Sequence, residues 1–327
     1  MERAQLYKIT LLLAAAGHLA MATYMGLFPA HFFELCGLPQ PLYPGLWQGI
    51  GLLAAAFGVA FLHGAFDLTW ARPLVRIALG AKLIGVVGWS VSVAMGTWSI
   101  ETMPLMVFAD LIWVAPFAFL ALEGTALGRR VRGAVPVGSA VLHAMAAGWM
   151  VLLMRPGTSM EPDMGARLAW IGDNPFLWRF GWCIWIATAM SLMAFFAWWV
   201  RRARNVRLAV IGWLIAIFGV VFEMAADAAY IGWTPQRGAW VLELETPLSV
   251  ITAHGLYMVG GILLTLASPE LPSRARLLAW AVWISGLVIV PFQLLGMVEA
   301  VGGLFAISLG SFILMAWLLR SWRGALA

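Results

Sequence analysis

Five residues of this sequence could do chemistry together: Glu223, Asp227, Tyr230, His254 and Tyr257. Glu223 and Asp227 stand four residues apart in the run FGVVFEMAADAAYIG, and Tyr230 follows three further on. A helix places all three on one face. Two carboxylates that close in a medium of low dielectric repel unless a proton, a bound cation or a guanidinium sits between them. Arg179, in the preceding apolar run, is the guanidinium that could reach them. The pattern therefore reads evenly as proton or cation handling and as an ion pair between two helices. His254 and Tyr257, three apart, share a face in the next run and could join either arrangement.

Other polar residues interrupt apolar surroundings singly. Asp110 is followed by Trp113 on the same helical face and by Pro116, which frees a backbone carbonyl. Lys82 sits inside an apolar run toward its basic end, where snorkelling is the expected behaviour and direct pairing with Asp110 needs a long reach. His18 and His143 could ligate haem or metal. A packing role, with the ring bonded to a carbonyl or hydroxyl, is the expectation for both. Gln48 lies early in the second apolar run, and His63 and Asp67 are placed to cap the end of that run. There is no HExxH, CxxC or CxxCH zinc, redox or haem motif, and no P-loop, dinucleotide or serine-hydrolase motif.

The elements that must position these groups are membrane spans. Of the 327 residues, 63% are hydrophobic and 11% charged, against roughly 25% charged in soluble domains. Ten apolar stretches each exceed the roughly 18 residues needed to cross a bilayer. They run near Leu6–Leu27, Gly45–Phe66, Pro73–Gly96, Met103–Leu122, Val135–Met154, Phe176–Val200, Val206–Ile231, Thr246–Ala267, Leu277–Leu295 and Ala300–Leu319. Ionisable groups at such positions are expensive, so each is a functional candidate by default.

Fifteen of the twenty Lys and Arg residues fall at the N-terminus, in every second gap and after the last run; the final pair is Arg320 and Arg323. By the positive-inside rule these segments are cytoplasmic, which gives an N-in/C-in protein, expected in a bacterial inner membrane. The net charge of +5 then orients the chain and meets anionic lipid, and is no nucleic-acid footprint. By depth counting, Asp110, Glu223 and His254 share a level roughly 10–12 Å below the outer surface. Asp227, Tyr257, Gln48 and Arg179 lie in the same outer half. Trp47, Trp98, Trp178, Trp233 and Trp280 fall near span ends, as an interfacial aromatic belt requires. Gly45 and Gly49 would allow close helix contact. Cys36 and Cys183 both fall toward the outer side; two free thiols are the expected state, and a disulfide is possible in an oxidising compartment.

Weak self-similarity divides the spans. LIGVVG at Leu83–Gly88 matches LIAIFG at Leu214–Gly219, and Pro44-Gly-Leu-Trp47 matches Pro175-Phe-Leu-Trp178 at the same offset. Residues 1–124 and 125–270 then form two tandem, parallel four-helix repeats, with 271–327 supplying two further spans. A short interfacial helix is expected around Glu161–Gly172. The stretch PAHFFELCGLPQPLYPGLWQGIGLLAAAFGVAFL, with RPLVRIALGAKLIGVVG and ADLIWVAPFAFLAL after it, resembles the DoxX-like family of four-helix membrane proteins. Many members carry an acidic residue where this chain has Gln48. The resemblance implies a link to thiol, quinone or thiosulfate redox systems.

Three functions are open at this point. The first is a binding or transport protein whose outward-facing polar pocket between the repeats holds a small molecule, proton or cation. Its candidate residues are Glu223, Asp227, Arg179, His254, Tyr257, Asp110, His18 and Gln48. The second is a redox subunit binding a quinone or another lipophilic cofactor. The third is an accessory subunit that scaffolds a membrane-protein partner. No catalytic residue is assigned, and no paired Gly/Pro breaks stand out mid-span.

Overall fold

A backbone in hydrocarbon must satisfy its own N–H and C=O groups, and this chain does so with helices. The computed structural model describes residues 3–322, so Arg323 lies outside it. Among the described residues there is no strand, and ten helices are long and apolar enough to span a membrane. The protein is an all-α polytopic membrane protein.

Contact density divides the chain into two compact units, Met1–Thr125 and Ala126–Ala327. The first holds four spans. α1 (Arg3–Leu27) and the short α2 (His31–Cys36) precede α3 (Pro44–Phe66) and α4 (Leu68–Ala94). The fourth span joins α5 (Met103–Met106) to α6 (Ile112–Ala121) through a π-helical turn, Val107–Leu111. Pro44 starts α3 at a position where its missing N–H costs nothing. α1 packs along α3, α4 packs on α3 and α6, and the Tyr7 hydroxyl donates to Leu120 O at 2.7 Å, tying α1 to the end of α6.

Asp67 is not used as the sequence suggested. Its carboxylate accepts from Thr69 N at 2.9 Å and Thr69 Oγ1 at 2.6 Å, so it caps the start of α4 rather than the end of α3. The reason is general: a side-chain oxygen satisfies the orphan N–H groups at a helix start, whereas helix ends present carbonyls that a carboxylate cannot serve. These bonds hold the Asp67 carboxyl below the usual carboxylate range.

The second unit comprises α7 (Ala126–Trp149) with a π-helical extension Met150–Met154, α8 (Met164–Asp173), α9 (Pro175–Val200) and α10 (Val206–Gly232). Short α11 (Thr234–Arg237) and α12 (Ala239–Glu243) lead into a π-helical stretch, Glu245–Ala253, that continues as α13 (His254–Leu266). α14 (Ser273–Leu294) and α15 (Val298–Leu318) complete it. The short helix expected around residues 161–172 is α8, started by the Asp163 carboxylate accepting from Gly165 N at 2.7 Å. Gly296 takes a φ of 70° between α14 and α15, a left-handed turn that a side chain rarely tolerates.

Six of these helices close a ring. α7 packs on α9, α9 on α10, α10 on α13, α13 on α14, α14 on α15, and α15 returns to α7. Glycine sets the tightest approach. A methyl placed on Gly212 of α10 would come within 2.7 Å of Gly260 O on α13. The pair Gly45 and Gly49 does no such work: nothing lies within 4 Å of a methyl placed on either. A spacing of four puts small residues on one face but does not say that the face meets a neighbour.

Three of the five tryptophans expected at span ends also depart from expectation. Trp47, Trp178 and Trp233 are buried in protein, not presented to the membrane interface. Trp178 Nε1 donates to Tyr230 O at 2.9 Å, satisfying the indole inside the ring. At the basic end, Arg202 lies over Trp198, 4.1 Å from the ring centroid, and donates to Trp198 O and Trp322 O at 3.1 and 3.3 Å. Burial and the charges of Arg201 and Arg132 push it down to about 10.

Candidate functional site

The six-helix ring encloses a cavity of about 240 Å³. Its floor carries His143, Leu192, Trp283 and Phe312, and its mouth Ser159, Met160 and Gln293. Ser159 and Met160 are exposed, so the cavity opens at the end where α7 connects to α9 and α14 to α15. From Val301 to Phe312 along α15 the lining descends about 16 Å. Every helix of the ring contributes to the wall.

The wall is mostly apolar, with aromatic faces from Trp182, Trp185, Tyr257, Trp283, Phe305 and Phe312. Its acid is Glu223 of α10, whose Oε2 accepts from Ser249 Oγ at 2.9 Å. Ser249 sits in the π-helical stretch before α13, as does Val250, which also lines the cavity. A π-helical turn displaces side chains from the ordinary helical register and often marks a functional position. His254 and Tyr257 follow on α13 and line the same wall. His254 Nε2 and the Tyr257 hydroxyl are buried and meet no hydrogen-bond partner among the described residues.

Asp227 lies one turn beyond Glu223 on α10, fully buried, and does not itself line the cavity. Neither of its oxygens has a hydrogen-bond partner among the described residues. Arg179 therefore makes no hydrogen bond to Asp227. Its Nε donates instead to Ile231 O at 3.3 Å, one helical turn further along α10. Tyr230 turns its ring onto Trp182, with centroids 4.5 Å apart.

Asp110, His18 and Gln48 belong to the first unit and none of them lines this cavity. Gln48 Nε2 donates to Gly26 O at 3.0 Å. His18 Nδ1 donates to Ala14 O at 2.8 Å, and its ring packs edge-on to Phe61 at 5.0 Å. His143 repeats this bond with Ser139 O at 2.8 Å and lies 4.3 Å from Phe312. In both histidines the carbonyl belongs to the same helix, four residues back, so neither bond joins two helices. No three His, Cys, Asp or Glu residues are grouped to hold a metal ion among the described residues. Cys36 and Cys183 are not joined in a disulfide.

Lys82 is a correction. Its Nζ lies 3.2 Å from Asp110 Oδ1 and donates to Ala109 O at 2.6 Å, so it pairs across to the fourth span and does not snorkel. Depth counting failed because Asp110 stands on the Val107–Leu111 π turn and Gly85 leaves room for its carboxylate. A methyl on Gly85 would collide with both Asp110 oxygens and the carbon between them. The Glu245–Ala253 stretch likewise breaks the ordinary helical register within a span, and no Gly/Pro pair announces it.

What the sequence reading missed is the aromatic wall from α14 and α15 and the Ser249 hydroxyl. Of its candidates, Glu223, His143, His254 and Tyr257 line one cavity. The chain matches no protein-family model, no curated protein and no solved structure.

Proposed function

We propose that the second unit is a membrane-embedded binding unit, for transport or sensing, which takes a small molecule or cation into the cavity of the six-helix ring. The observation that carries this is that Tyr257, whose buried hydroxyl has no hydrogen-bond partner among the described residues, lines the same cavity as the Glu223 carboxylate. An unmade hydrogen bond on a buried group costs about 1–3 kcal/mol, which a ligand or bound water can return. Both termini are proposed to be cytoplasmic, because the basic residues cluster in alternate connections. The mouth at Ser159 then faces outward, in keeping with a bacterial inner-membrane protein. The DoxX-like resemblance of residues 1–124 stays part of the proposal for the first unit.

Melting of the detergent-purified full chain tests this. Amines, sodium, potassium and quinone head-group analogues are added in turn to wild type, Glu223→Gln and Tyr257→Phe. At least one class is expected to raise the wild-type midpoint, with the rise reduced in both variants. No rise with any class, or a rise that both variants keep in full, contradicts the proposal.

A quinone reading has one observation in its favour: His254 and Tyr257 line the cavity, their Nε2 and hydroxyl are buried without partners among the described residues, and such groups can hydrogen-bond a quinone carbonyl. Stoichiometric quinone in an organic extract of the purified protein would favour it over an amine or metal cation.

A further inference from the structure

We infer that the occupant of the cavity is a compact lipophilic monocation, an amine or quaternary ammonium carried on about one ring. This rests on the reading that the cavity is a binding site, and names the class of its ligand.

Size is the first constraint. An apolar cavity of about 150 Å³ accommodates benzene, so about 240 Å³ holds one ring with a few substituents. A porphyrin or a whole lipid would not be enclosed. Charge is the second. Among the described residues the lining contains the Glu223 carboxylate and no Lys or Arg. One turn along the same helix stands Asp227, fully buried, with neither oxygen hydrogen-bonded among the described residues. An anionic ligand would meet repulsion from the Glu223 carboxylate in a medium that screens little, and a neutral apolar one would gain nothing from it. A monocation gains from it.

The walls supply the third constraint. Trp182, Trp185, Tyr257 and Phe305 line the cavity together with Glu223. Aromatic rings attract a desolvated cation by their quadrupole, and clusters of them beside an acid are the usual receptor for substituted ammonium groups. A strongly hydrated metal cation gains little from such walls, and no cluster of three metal-binding side chains is present among the described residues to replace its water. The rings also cover the uncharged body of an organic cation, which a metal ion lacks.

The test is isothermal titration of the full chain in nanodiscs with benzyltrimethylammonium and with neopentylbenzene, its uncharged isostere. The cation is expected to bind wild type, with the isostere at least tenfold weaker. Glu223→Gln is expected to lose roughly tenfold to a hundredfold of the cation's affinity, the range of a charged hydrogen-bonding partner. Ser249→Ala keeps the charge and removes the hydroxyl beside it, and serves as the second variant should Glu223→Gln not fold; it should lose less. If the isostere binds wild type as tightly as the cation and Glu223→Gln binds both unchanged, the ligand class is wrong while the binding site stands. If neither probe binds, and a thiol placed inside the cavity is also unreactive from water, the binding site itself falls.

Discussion

Replacing Lys82 by methionine should be far more damaging than a single membrane-facing lysine would suggest. Lys82 Nζ and Asp110 Oδ1 are 3.2 Å apart, and the two side chains are 12% and 22% exposed. At an effective dielectric constant near 20 the gross attraction at this distance is about 5 kcal/mol. The net worth of the pair is smaller, because both groups leave water. Removing one partner is different: Asp110 stays where it is, against Gly85, with no cation, and Ala109 O loses its donor. Lys82→Met is therefore expected to destabilise the protein by roughly 3–5 kcal/mol, the range for breaking a buried pair. Adding Asp110→Asn should recover most of this, to within about 1 kcal/mol of wild type, since no isolated charge remains. The assay is equilibrium unfolding in mixed micelles for wild type, both single variants and the double variant. A loss below about 1 kcal/mol in Lys82→Met, with additive effects across the cycle, would refute the buried pair and return Lys82 to the membrane surface.

Gly85→Ala should mimic the damage from the other side by driving a methyl into the Asp110 carboxylate, at about 1–3 kcal/mol in the same unfolding assay. Gly219→Ala places a methyl 2.7 Å from the Tyr257 ring and 2.8 Å from Ala253 O; it is expected to lower stability by a similar amount and to weaken benzyltrimethylammonium binding by displacing Tyr257, as titration will read. Asp67 contributes stability that is fully present above the carboxyl's unfolded value and fades as pH falls through its lower folded value. Asp67→Asn should therefore flatten the acid limb of a melting-temperature profile and leave the neutral region nearly level, since asparagine also caps; an unchanged acid limb would deny Asp67 this role.

The spans were legible because crossing a bilayer demands length and hydrophobicity, both of which are plain in residues such as Leu214–Val221. The face shared by Glu223 and Asp227 followed from spacing alone. The cavity did not, for a physical reason. In water a helix declares its buried face by contrast with its wet one, but in lipid both faces are apolar. The stretch from Leu277 to Leu294 reads the same whether Trp283 meets lipid or a cavity. The pairing of Lys82 with Asp110 was missed because counting at a constant rise assumes ordinary helix, and the π-helical turn Val107–Leu111 has no reliable signature in sequence. Tryptophan misled for a related reason. Indoles suit the membrane interface, but they suit equally a protein interior that offers a carbonyl, as Tyr230 does for Trp178.

The central claim is that water and a small cation reach the middle of the six-helix ring. Ser308, only 4% exposed, lies on α15 within the cavity wall. The direct measurement is modification of Ser308→Cys, in a Cys36→Ser, Cys183→Ser background, by aminoethyl methanethiosulfonate added to the folded protein in nanodiscs. Prompt modification, slowed by benzyltrimethylammonium, is expected. A thiol that stays unreactive in the folded protein and reacts only after unfolding would contradict it.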